Sequence, residues 1–423
     1  MKSIFLKTAA FSFAACLCAV STDMCAQIDT IRLLPPYHSE SVENYSKVLG
    51  WQGGRTPVAP SGFVVTKFAE GFHNPRNIYI AQNGDIFISD AATKPDGEID
   101  ADKAQSQNYG SADIIHMLRD ADNDGVYESR YTYLSNLNQP FGMCVVGNHF
   151  YVANTDGLVR FPYEPGATLI TAPAEKLVDL PAGGYNNHWT RNLIAHPNGG
   201  KIYISVGSAS NNGEYGLDTE IRRANILEVN PDGTGEIIYA AGLRNPVGMG
   251  WNPATGDLWT VVNERDELGD DLVPDYATRV QQGGFYGWPY AYFGPIEDPR
   301  MTGMRPDLVA RTLVPDIPFV SHTSSIGMTF YTGNQFPERY RNGLFVAQRG
   351  SWNRSELSGY RVLFVPFNNG IPSGNPEDFL TGFISDRDNS EVYGRPTGLA
   401  VLPDGSLLVS DDASKTLWRV SRR

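Results

Sequence analysis

The sequence predicts an all-β protein, built as a six-bladed β-propeller, from its composition and from a repeat that occurs six times. Glycine (43) and proline (28) make up about one in six of the 423 residues, against roughly one in eight in average proteins. Tyrosine (21) and phenylalanine (20) are abundant, and only 19% of the residues are charged. This composition is typical of short strands joined by tight turns, and it excludes disordered, collagen-like and coiled-coil chains. The length allows one large β domain or two to three ordinary domains.

Each copy of the repeat begins near a proline or glycine, continues as a short apolar strand, turns, and forms a second apolar strand. The six copies are residues 74–91, 139–157, 190–212, 245–267, 325–354 and 395–414. Turns such as Asn83-Gly84 and Asp404-Gly405 favour hairpins. Copies spaced by about 50 to 80 residues favour a propeller over a β-sandwich, which does not repeat this order of elements. A last strand at residues 417–420 suggests that the C-terminus helps to close the ring.

The N-terminal region has the pattern of an export signal. Residues 1–26 combine a basic start, an apolar stretch and small residues, as secretory signal peptides do. Residues 19–21 offer a cleavage site, and residues 14–16 form a weaker lipoprotein box with lipid on Cys16. We therefore expect an exported protein, periplasmic or attached to the outer membrane, without a transmembrane segment. Residues 27–61 are interpreted as an N-terminal lead-in and residues 62–423 as the propeller.

Charge, cysteine content and missing motifs narrow the function. A net charge of −13 disfavours nucleic acid as a partner, because the phosphate backbone is repelled. Cys144 is the one cysteine outside the N-terminal region, so we expect a buried thiol and no internal disulfide. GxSxG, HExxH, Walker A and GxGxxG motifs are missing from the sequence. Their absence disfavours elbow-type serine hydrolases, zincins and nicotinamide-dependent dehydrogenases.

The ends of the inner strands predict where the site lies. In a propeller these ends meet at one mouth of the central channel, and here they are almost all polar, which is typical of a small-ligand site. His188 precedes one such strand, and a histidine with a near-neutral pKa is a natural general base; a structural loop histidine is the alternative. Arg244, Arg349 and Arg395 come from three different repeats. Together they suit a ligand with several carboxylates.

Two acidic segments are candidate calcium sites. Residues 263–271 (NERDELGDD) contain oxygen ligands of the kind that calcium prefers, and a solvated acidic turn is the alternative. Asp120, Asp122 and Asp124 resemble the start of a calcium loop, with glycine at its sixth position. Position twelve is Tyr131 instead of glutamate, so the EF-hand is incomplete. We predict a peripheral structural calcium there, with an Asx-rich turn as the alternative.

Several strings, in order, carry a family resemblance. They are NHWTRNL (187–193), GLRNPVGM (242–249), VNERDELGDD (262–271), GGFYGWPY (283–290), GSWNR (350–354) and RPTGLAVLPDGSLLVSDD (395–412). With them the sequence resembles the soluble quinoprotein glucose/sorbosone dehydrogenases, and within these the sorbosone-type branch, from about residue 62 to 420. The resemblance implies a six-bladed propeller that uses pyrroloquinoline quinone (PQQ) and calcium. It also implies oxidation of an aldose or aldosone at the C1 hydroxyl or hydrate, with electrons passed to an external quinone or cytochrome.

The resemblance also implies residue roles. His188 falls on the catalytic base, which takes the hydroxyl proton while hydride leaves for the quinone. Arg244 and Asn245 fall on contacts of the reactive quinone carbonyls. Backbone carbonyls of Asp266 and Glu267 fall on calcium ligands. The further implied cofactor contacts are Gln139, Asn187, Arg349 and Arg395. Two positions depart from the family: Asn187 replaces an acidic residue, and Thr397 stands where the glucose-oxidising branch has a second arginine.

Two other functions stay open from the sequence. One is a calcium-dependent propeller hydrolase of the lactonase type, with His188 acting on water. The other is a non-catalytic carbohydrate-binding propeller, in which aromatic side chains stack on sugars. The aromatic candidates are Trp189, Tyr286, Trp288 and Trp352, for which packing between blades is the alternative.

Overall fold

The computed structural model describes residues 32–94 and 109–423. The predicted signal (1–26) and its three cysteines lie outside the described residues, as does the start of the lead-in. The described chain is almost entirely strand and loop, which confirms the all-β prediction. Its helices are one turn of α-helix and three short 3-10 helices: Pro306–Val309, Leu217–Glu220, Pro299–Met301 and Glu338–Tyr340. None of the helices among the described residues has the length and apolar character needed to cross a membrane.

Six sheets, which we number I to VI along the chain, each contain four antiparallel strands. Sheet I consists of Pro75–Ile80, Ile86–Asp90, Ile114–Arg119 and Ser129–Leu134, and sheet II of Met143–Val146, His149–Asn154, Gly157–Pro162 and Glu175–Asp179. Sheet III consists of Leu193–Ala195, Ile202–Val206, Asn225–Val229 and Ile237–Ala241, and Gly284–Phe285 pairs in parallel with its last strand. Sheet IV consists of Pro246–Trp251, Leu258–Val262, Pro274–Arg279 and Ile317–Ser321, and sheet V of Ser325–Phe330, Leu344–Gln348, Arg361–Val365 and Glu377–Leu380. Sheet VI consists of Pro396–Val401, Leu407–Asp411, Thr416–Arg422 and Phe63–Glu70.

The six predicted repeats are the first two strands of the six sheets. Gly84 and Gly405 lie in the predicted turns with φ of 88° and 85°, a backbone conformation that glycine adopts without steric cost. The second strands are buried along their whole length, apart from His149 in sheet II. This burial explains why their sequences are largely apolar, because each second strand packs against neighbouring sheets on both faces.

Contacts between first strands connect every sheet to the next. The first strand of sheet I contacts that of sheet II, the contacts continue in order to sheet VI, and sheet VI contacts sheet I again. Residues of all six first strands line one cavity between them. The predicted C-terminal strand is Thr416–Arg422, and it pairs in sheet VI with Phe63–Glu70 from the start of the domain. The two ends of the domain are thus held together by strand pairing.

Hydrophobic clusters fill the spaces between neighbouring sheets. The largest contains side chains of sheets V and VI, including Phe345, Phe379 and Trp418. Cys144 lies in the cluster between sheets II and III; its thiol is buried and free, and burial raises its pKa to about 12. The prediction of a buried, unpaired thiol is confirmed.

Three small sheets lie outside the six four-stranded sheets. Lys47–Val48 pairs in parallel with Glu391–Val392, which also pairs with Ile384–Asp386. The other two are hairpins, Ala291–Tyr292 with Ile296–Glu297 and Phe367–Asn368 with Ile371–Pro372. The first small sheet attaches the lead-in to the segment just before sheet VI.

Candidate active site

A cavity of about 190 Å³ lies where the connections into and out of the inner strands meet. The polar and aromatic side chains that line it are Glu43, Tyr45, Arg76, Thr93, Tyr109, Tyr185, Asn187, His188, Trp189, Thr190, Asn245, Asn263, Asp266, Ser324, Arg349 and Trp352. Seven of the residues singled out from the sequence are therefore together at one site: Asn187, His188, Trp189, Asn245, Asp266, Arg349 and Trp352. They come from sheets III, IV and V, as expected if equivalent strand ends converge.

His188 is buried against the cavity wall with one defined tautomer. Its Nδ1 lies 3.0 Å from the carbonyl oxygen of Ser208 and 2.9 Å from Ser208 Oγ. A carbonyl oxygen only accepts, so Nδ1 carries the proton and Nε2 is the basic nitrogen of the neutral ring. Burial, and then the positive charge of Arg244, hold the pKa of His188 well below its usual value. The ring is neutral at pH 7 and can accept a proton.

Gly207 fixes the distance between His188 and Asn245. A Cβ on this glycine would lie 2.4 Å from Asn245 Oδ1 and 2.6 Å from His188 Cβ, so no other residue fits. Asn245 Oδ1 is buried and has no hydrogen-bond partner among the described residues. A buried acceptor without a partner requires an explanation, and contact with a bound ion or ligand at this site is one.

Arg244 lies behind the cavity wall and is not among its lining residues. Its guanidinium donates to the backbone oxygens of Asn211, Asn263 and Glu264 at 2.7–3.0 Å. It also donates to Asn211 Oδ1 at 2.9 Å and to Asp266 Oδ2 at 3.3 Å. Through these bonds the guanidinium holds the loop that follows the second strand of sheet IV. The predicted contact of Arg244 with the cofactor stays a prediction.

Asp266 lines the cavity as a fully paired carboxylate. Oδ1 lies 3.1 Å from His322 Nδ1, and His322 Nε2 lies 2.9 Å from Gly269 O, so both ring nitrogens face acceptors. Burial alone would lower the pKa of His322, but the bond to Asp266 outweighs it and the pKa is raised. The pKa of Asp266 is correspondingly lowered by His322 and Arg244, against the effect of burial. The local sequence around His322 indicates no role for it, because its partner Asp266 is 56 positions away.

Three guanidiniums surround the carboxylate of Asp412. Arg349 Nε donates to Oδ2 at 2.8 Å, Arg395 Nε donates to Oδ1 at 3.0 Å, and Arg76 Nη1 also bonds Oδ2. Burial would raise the pKa of Asp412, but the three cations hold it well below its usual range. Arg76 and Arg349 line the cavity, and Arg395 lies behind them. The cluster has about two positive charges in excess.

Arg76 and Asp412 were missed as site residues, although the repeat contains a signal for Arg76. Arg76 follows the proline that begins the first strand of sheet I, and Thr397 follows the equivalent proline of sheet VI. Thr397 Oγ1 lies 2.8 Å from Ser410 Oγ, and Ser410 Oγ donates to Arg76 O. The two strands are thus neighbours, and a guanidinium missing from one is present on the other.

The remaining predicted residues lie beside the cavity. Gln139 Nε2 donates to Ala92 O at 2.9 Å, and Gln139 is not among the lining residues. Glu267 is exposed, and its backbone N–H donates to Asn353 Oδ1 at 3.0 Å. Asp266 O accepts hydrogen bonds from Arg265 Nε at 3.0 Å and Asn211 Nδ2 at 3.4 Å. The roles predicted for Gln139 as a cofactor contact and for the carbonyl oxygens of Asp266 and Glu267 as calcium ligands stay predictions.

Two buried acids stand directly behind the loop of Asp266. Burial raises the pKa of Glu264 to about 7 and that of Asp275 to about 6. Asp275 accepts from the backbone N–H groups of Glu264 at 3.0 Å and Ser325 at 2.8 Å. These bonds tie sheet IV to the first strand of sheet V. Neither acid was singled out individually from the sequence.

Asp120, Asp122 and Asp124 lie away from the cavity, in the turn between the third and fourth strands of sheet I. One carboxylate oxygen of each lies within 4.8 Å of the others. Asp120 accepts from the backbone N–H groups of Asp124 and Gly125 at 3.1 and 2.8 Å. This is an Asx-rich turn with three converging carboxylates, and calcium binding there stays a prediction.

Comparisons with known proteins support the same family. The model of the TrAA12-like family matches residues 57–283 and 308–423. An uncharacterized protein of Borreliella burgdorferi is 28% identical over 380 residues, 85% of this chain and 89% of that protein. The aldose sugar dehydrogenase YliI of Escherichia coli is 30% identical over 191 residues, 44% of each chain.

Solved structures show the same fold. The calcium structure of the Trichoderma reesei family AA12 enzyme has a TM-score of 0.70 at 19% identity, covering 90% of this chain and 99% of that one. The holo form of the PQQ domain of Coprinopsis cinerea pyranose dehydrogenase has a TM-score of 0.70 at 20% identity, covering 90% of this chain and 100% of that one.

Proposed function

The chain belongs to the TrAA12-like family, and on this premise we propose that it is a sugar dehydrogenase that uses PQQ and calcium. Among its relatives and structural neighbours are PQQ-dependent sugar and pyranose dehydrogenases and aldose sugar dehydrogenases. The observation that carries the proposal is that a neutral, buried histidine and two arginines of an excess-cation cluster line the same cavity. A proton acceptor and an anion site are what this reaction needs from the protein.

The polar groups of the cavity fit the cofactor. PQQ, when bound, supplies the hydride acceptor, and calcium supplies a Lewis acid. Arg349 and Arg76 would hold the carboxylates of PQQ with charge-assisted hydrogen bonds. Arg395 Nη2 and Arg76 Nε are buried donors without partners among the described residues. Arg76 would replace the second arginine that is missing at Thr397.

His188 is the proposed general base. Ser208 keeps the proton on Nδ1, so Nε2 can take the proton of the C1 hydroxyl or hydrate of the sugar. The lowered pKa keeps this nitrogen unprotonated at neutral and mildly acidic pH. Arg244 holds Asn211 and Asp266 in position beside it, and Gly207 lets His188 and Asn245 approach each other.

Calcium binding by the backbone carbonyl oxygens of Asp266 and Glu267, which the family resemblance implies, remains part of the proposal. Asp266 and Asn245 both line the cavity, and the buried Asn245 Oδ1 has no partner among the described residues. Hard oxygen donors of this kind are what calcium takes. A second, structural calcium in the turn of Asp120, Asp122 and Asp124 remains part of the proposal.

We also propose that the fold is a six-bladed propeller, and that the protein is exported. Six four-stranded sheets, and contacts that return from sheet VI to sheet I, support the propeller. Export, with or without a lipid on Cys16, rests on the sequence of residues 1–26. The electrons of the sugar would pass to an external quinone or cytochrome.

The direct test is reconstitution. Purified protein is treated with a chelator, then titrated with PQQ in the presence and absence of calcium, while absorbance is recorded. Reduction of a dye is then assayed with aldoses and aldosones. We expect calcium-dependent cofactor binding and sugar-dependent dye reduction. Absence of cofactor binding at micromolar concentrations would contradict the proposal, and quinone-independent lactone hydrolysis would favour the hydrolase instead.

A further inference from the structure

The lead-in crosses the cavity end of three sheets. Residues 32–56, which we call the strap, precede the part of the chain that the family model matches. The N–H of Tyr37 donates to Leu268 O at 2.9 Å, and the N–H of Asn44 donates to Trp352 O at 2.7 Å. Further along, Lys47–Val48 pairs with Glu391–Val392. The strap therefore runs over the loops that follow the second strands of sheets IV and V, and then reaches sheet VI.

The loop of sheet IV has little space between it and the strap. A Cβ on Gly269 would lie 2.7 Å from Ser39 O, and Gly269 has a φ of 98°. Its N–H donates to Ser41 Oγ at 3.1 Å, and the N–H of Asp270 donates to Ser39 Oγ at 2.8 Å. A conformation that only glycine adopts easily thus coincides with the contact. The strap therefore packs in a defined position on the NERDELGDD loop (residues 263–271).

Asn353 connects the strap to both cavity loops. Its Nδ2 donates to Val42 O at 3.3 Å, and its Oδ1 accepts from the N–H of Glu267 at 3.0 Å. Asn44 Nδ2 donates to Ser355 O at 2.9 Å. The strap is joined by hydrogen bonds to the same two loops that carry Asp266 and Trp352. Its position relative to the cavity is therefore fixed.

Two strap side chains form part of the cavity wall. Glu43 and Tyr45 both line it, and the ring of Tyr45 stacks on Trp352 with a centroid distance of 5.7 Å and an angle of 6°. Tyr109 and Tyr185 line the same cavity. Aromatic faces beside a carboxylate suit a ligand that has a carbon ring and hydroxyl groups, because the ring packs on the aromatic surface and the hydroxyls donate to the carboxylate.

We propose that the strap forms the sugar-specificity subsite of this protein. Tyr45, held by Trp352, packs on the face of a pyranose ring, and Glu43 accepts hydrogen bonds from the sugar hydroxyls. Glu43 also disfavours sugars that carry a carboxylate, which would otherwise be attracted by Arg76 and Arg349. The inference rests on the proposed function only for turnover, because binding of the sugar does not require oxidation.

The test compares strap variants that differ in whether the side chain lines the cavity. Tyr45→Ala and Glu43→Gln change lining residues, while Tyr37→Ala and Glu40→Gln change exposed strap residues outside the lining set. For each protein, Kd of glucose, galactose, xylose and glucuronic acid is measured by calorimetry. KM, kcat and PQQ affinity are measured on the reconstituted protein.

We expect Tyr45→Ala to raise Kd and KM of the best-bound neutral sugar roughly tenfold, with PQQ affinity and kcat within about twofold of wild type. Glu43→Gln should weaken neutral sugars roughly fivefold and improve glucuronic acid relative to them by roughly fivefold. The control variants should match wild type. If Tyr45→Ala does not fold, Tyr45→Leu keeps an apolar contact with Trp352 and should show the same rise in Kd and KM.

The outcomes separate this inference from the redox proposal. If PQQ does not bind but Tyr45→Ala still weakens calorimetric sugar binding, the redox proposal fails and the subsite is supported. If sugars are oxidised normally by Tyr45→Ala and Glu43→Gln, the subsite is overturned while the redox proposal stands. The inference is also overturned if the wild-type protein binds none of the four sugars.

Discussion

The two sides of the cavity differ in how their charges are balanced. On the side of sheets III and IV, Asp266 is paired with Arg244 and His322, and His188 is neutral. On the side of sheets V, VI and I, three arginines share the carboxylate of Asp412. A balanced region can hold a neutral base in a defined tautomer, whereas a region with excess positive charge attracts an anion. The difference supports the proposal that proton transfer takes place on the first side and that the second side binds the cofactor.

The largest difference between an effect on kcat and an effect on PQQ affinity is expected at His188. His188→Gln should lower kcat by roughly 10²- to 10⁴-fold, because the proton acceptor is lost, and should change PQQ affinity by less than about tenfold. Steady-state kinetics with a dye acceptor, and a cofactor titration, measure the two effects. His196→Gln, in an exposed turn, is the matched control. A variant that keeps most of its kcat would contradict the assignment of the base.

The pH profile of the wild-type enzyme independently tests whether His188 is the base. The pKa of His188 is lowered from 6.5 by burial and Arg244, so its basic form persists at a pH where a free imidazole is protonated. The acid limb of kcat/KM should therefore fall below pH 6.5. A limb assigned to His188 at or above pH 7 would contradict a buried, neutral base.

On the arginine side, the largest effect is expected on stability. Asp412→Asn removes the buried carboxylate that the guanidiniums of Arg76, Arg349 and Arg395 share and should lower the free energy of unfolding by about 3–5 kcal/mol. Urea unfolding at pH 7 measures it. Asp378→Asn removes the half-exposed partner of Arg361 and should cost at most about 1 kcal/mol. Equal losses for both variants would show that the Asp412 cluster has no special role.

Cofactor affinity should respond to Arg349. Arg349→Gln removes a charge-assisted donor that lines the cavity and should raise the Kd of PQQ roughly 10- to 100-fold. Arg361→Gln, in the adjacent strand of sheet V but outside the lining set, should leave it within about threefold. Absorbance titration measures both. If His188→Gln weakened PQQ binding more than Arg349→Gln does, the proposed division between the two sides would be wrong.

The smallest expected effect is a pH-dependent change in stability at Glu264. Its pKa is raised from 4.5 to about 7 by burial, so the folded state binds the proton more tightly than the unfolded state. Stability from this group is present below pH 4.5 and is lost as the pH rises through 7. Glu264→Gln should therefore gain on the order of 2 kcal/mol at pH 8 relative to wild type and little at pH 4.5. Exposed Glu356→Gln should show no such trend, and a gain at Glu264→Gln that did not depend on pH would contradict burial of the charged carboxylate as its cause.

The repeat predicted all six strand pairs because its signals are local. Most pairs consist of a glycine-containing turn and two apolar strands within about 20 residues, as in 74–91 and 395–414. Convergence of Asn187, His188, Asn245 and Arg349 followed from their equivalent positions in different repeats. Glu43 and Tyr45 could not be predicted in the same way, because the strap lies outside the repeat.

The sequence by itself determined the class of fold, the buried thiol of Cys144 and the set of polar strand ends, because these follow from turn chemistry, hydrophobic order and the period of the repeat. Only the tertiary structure decided which charges meet. Asp412 bonds Arg76 from 336 positions away, Asp266 bonds His322 from 56 away, and the strap contacts loops more than 200 residues further on. Such partners are selected by burial, since a charge removed from water must find an opposite charge among whatever side chains the closed arrangement of sheets brings near.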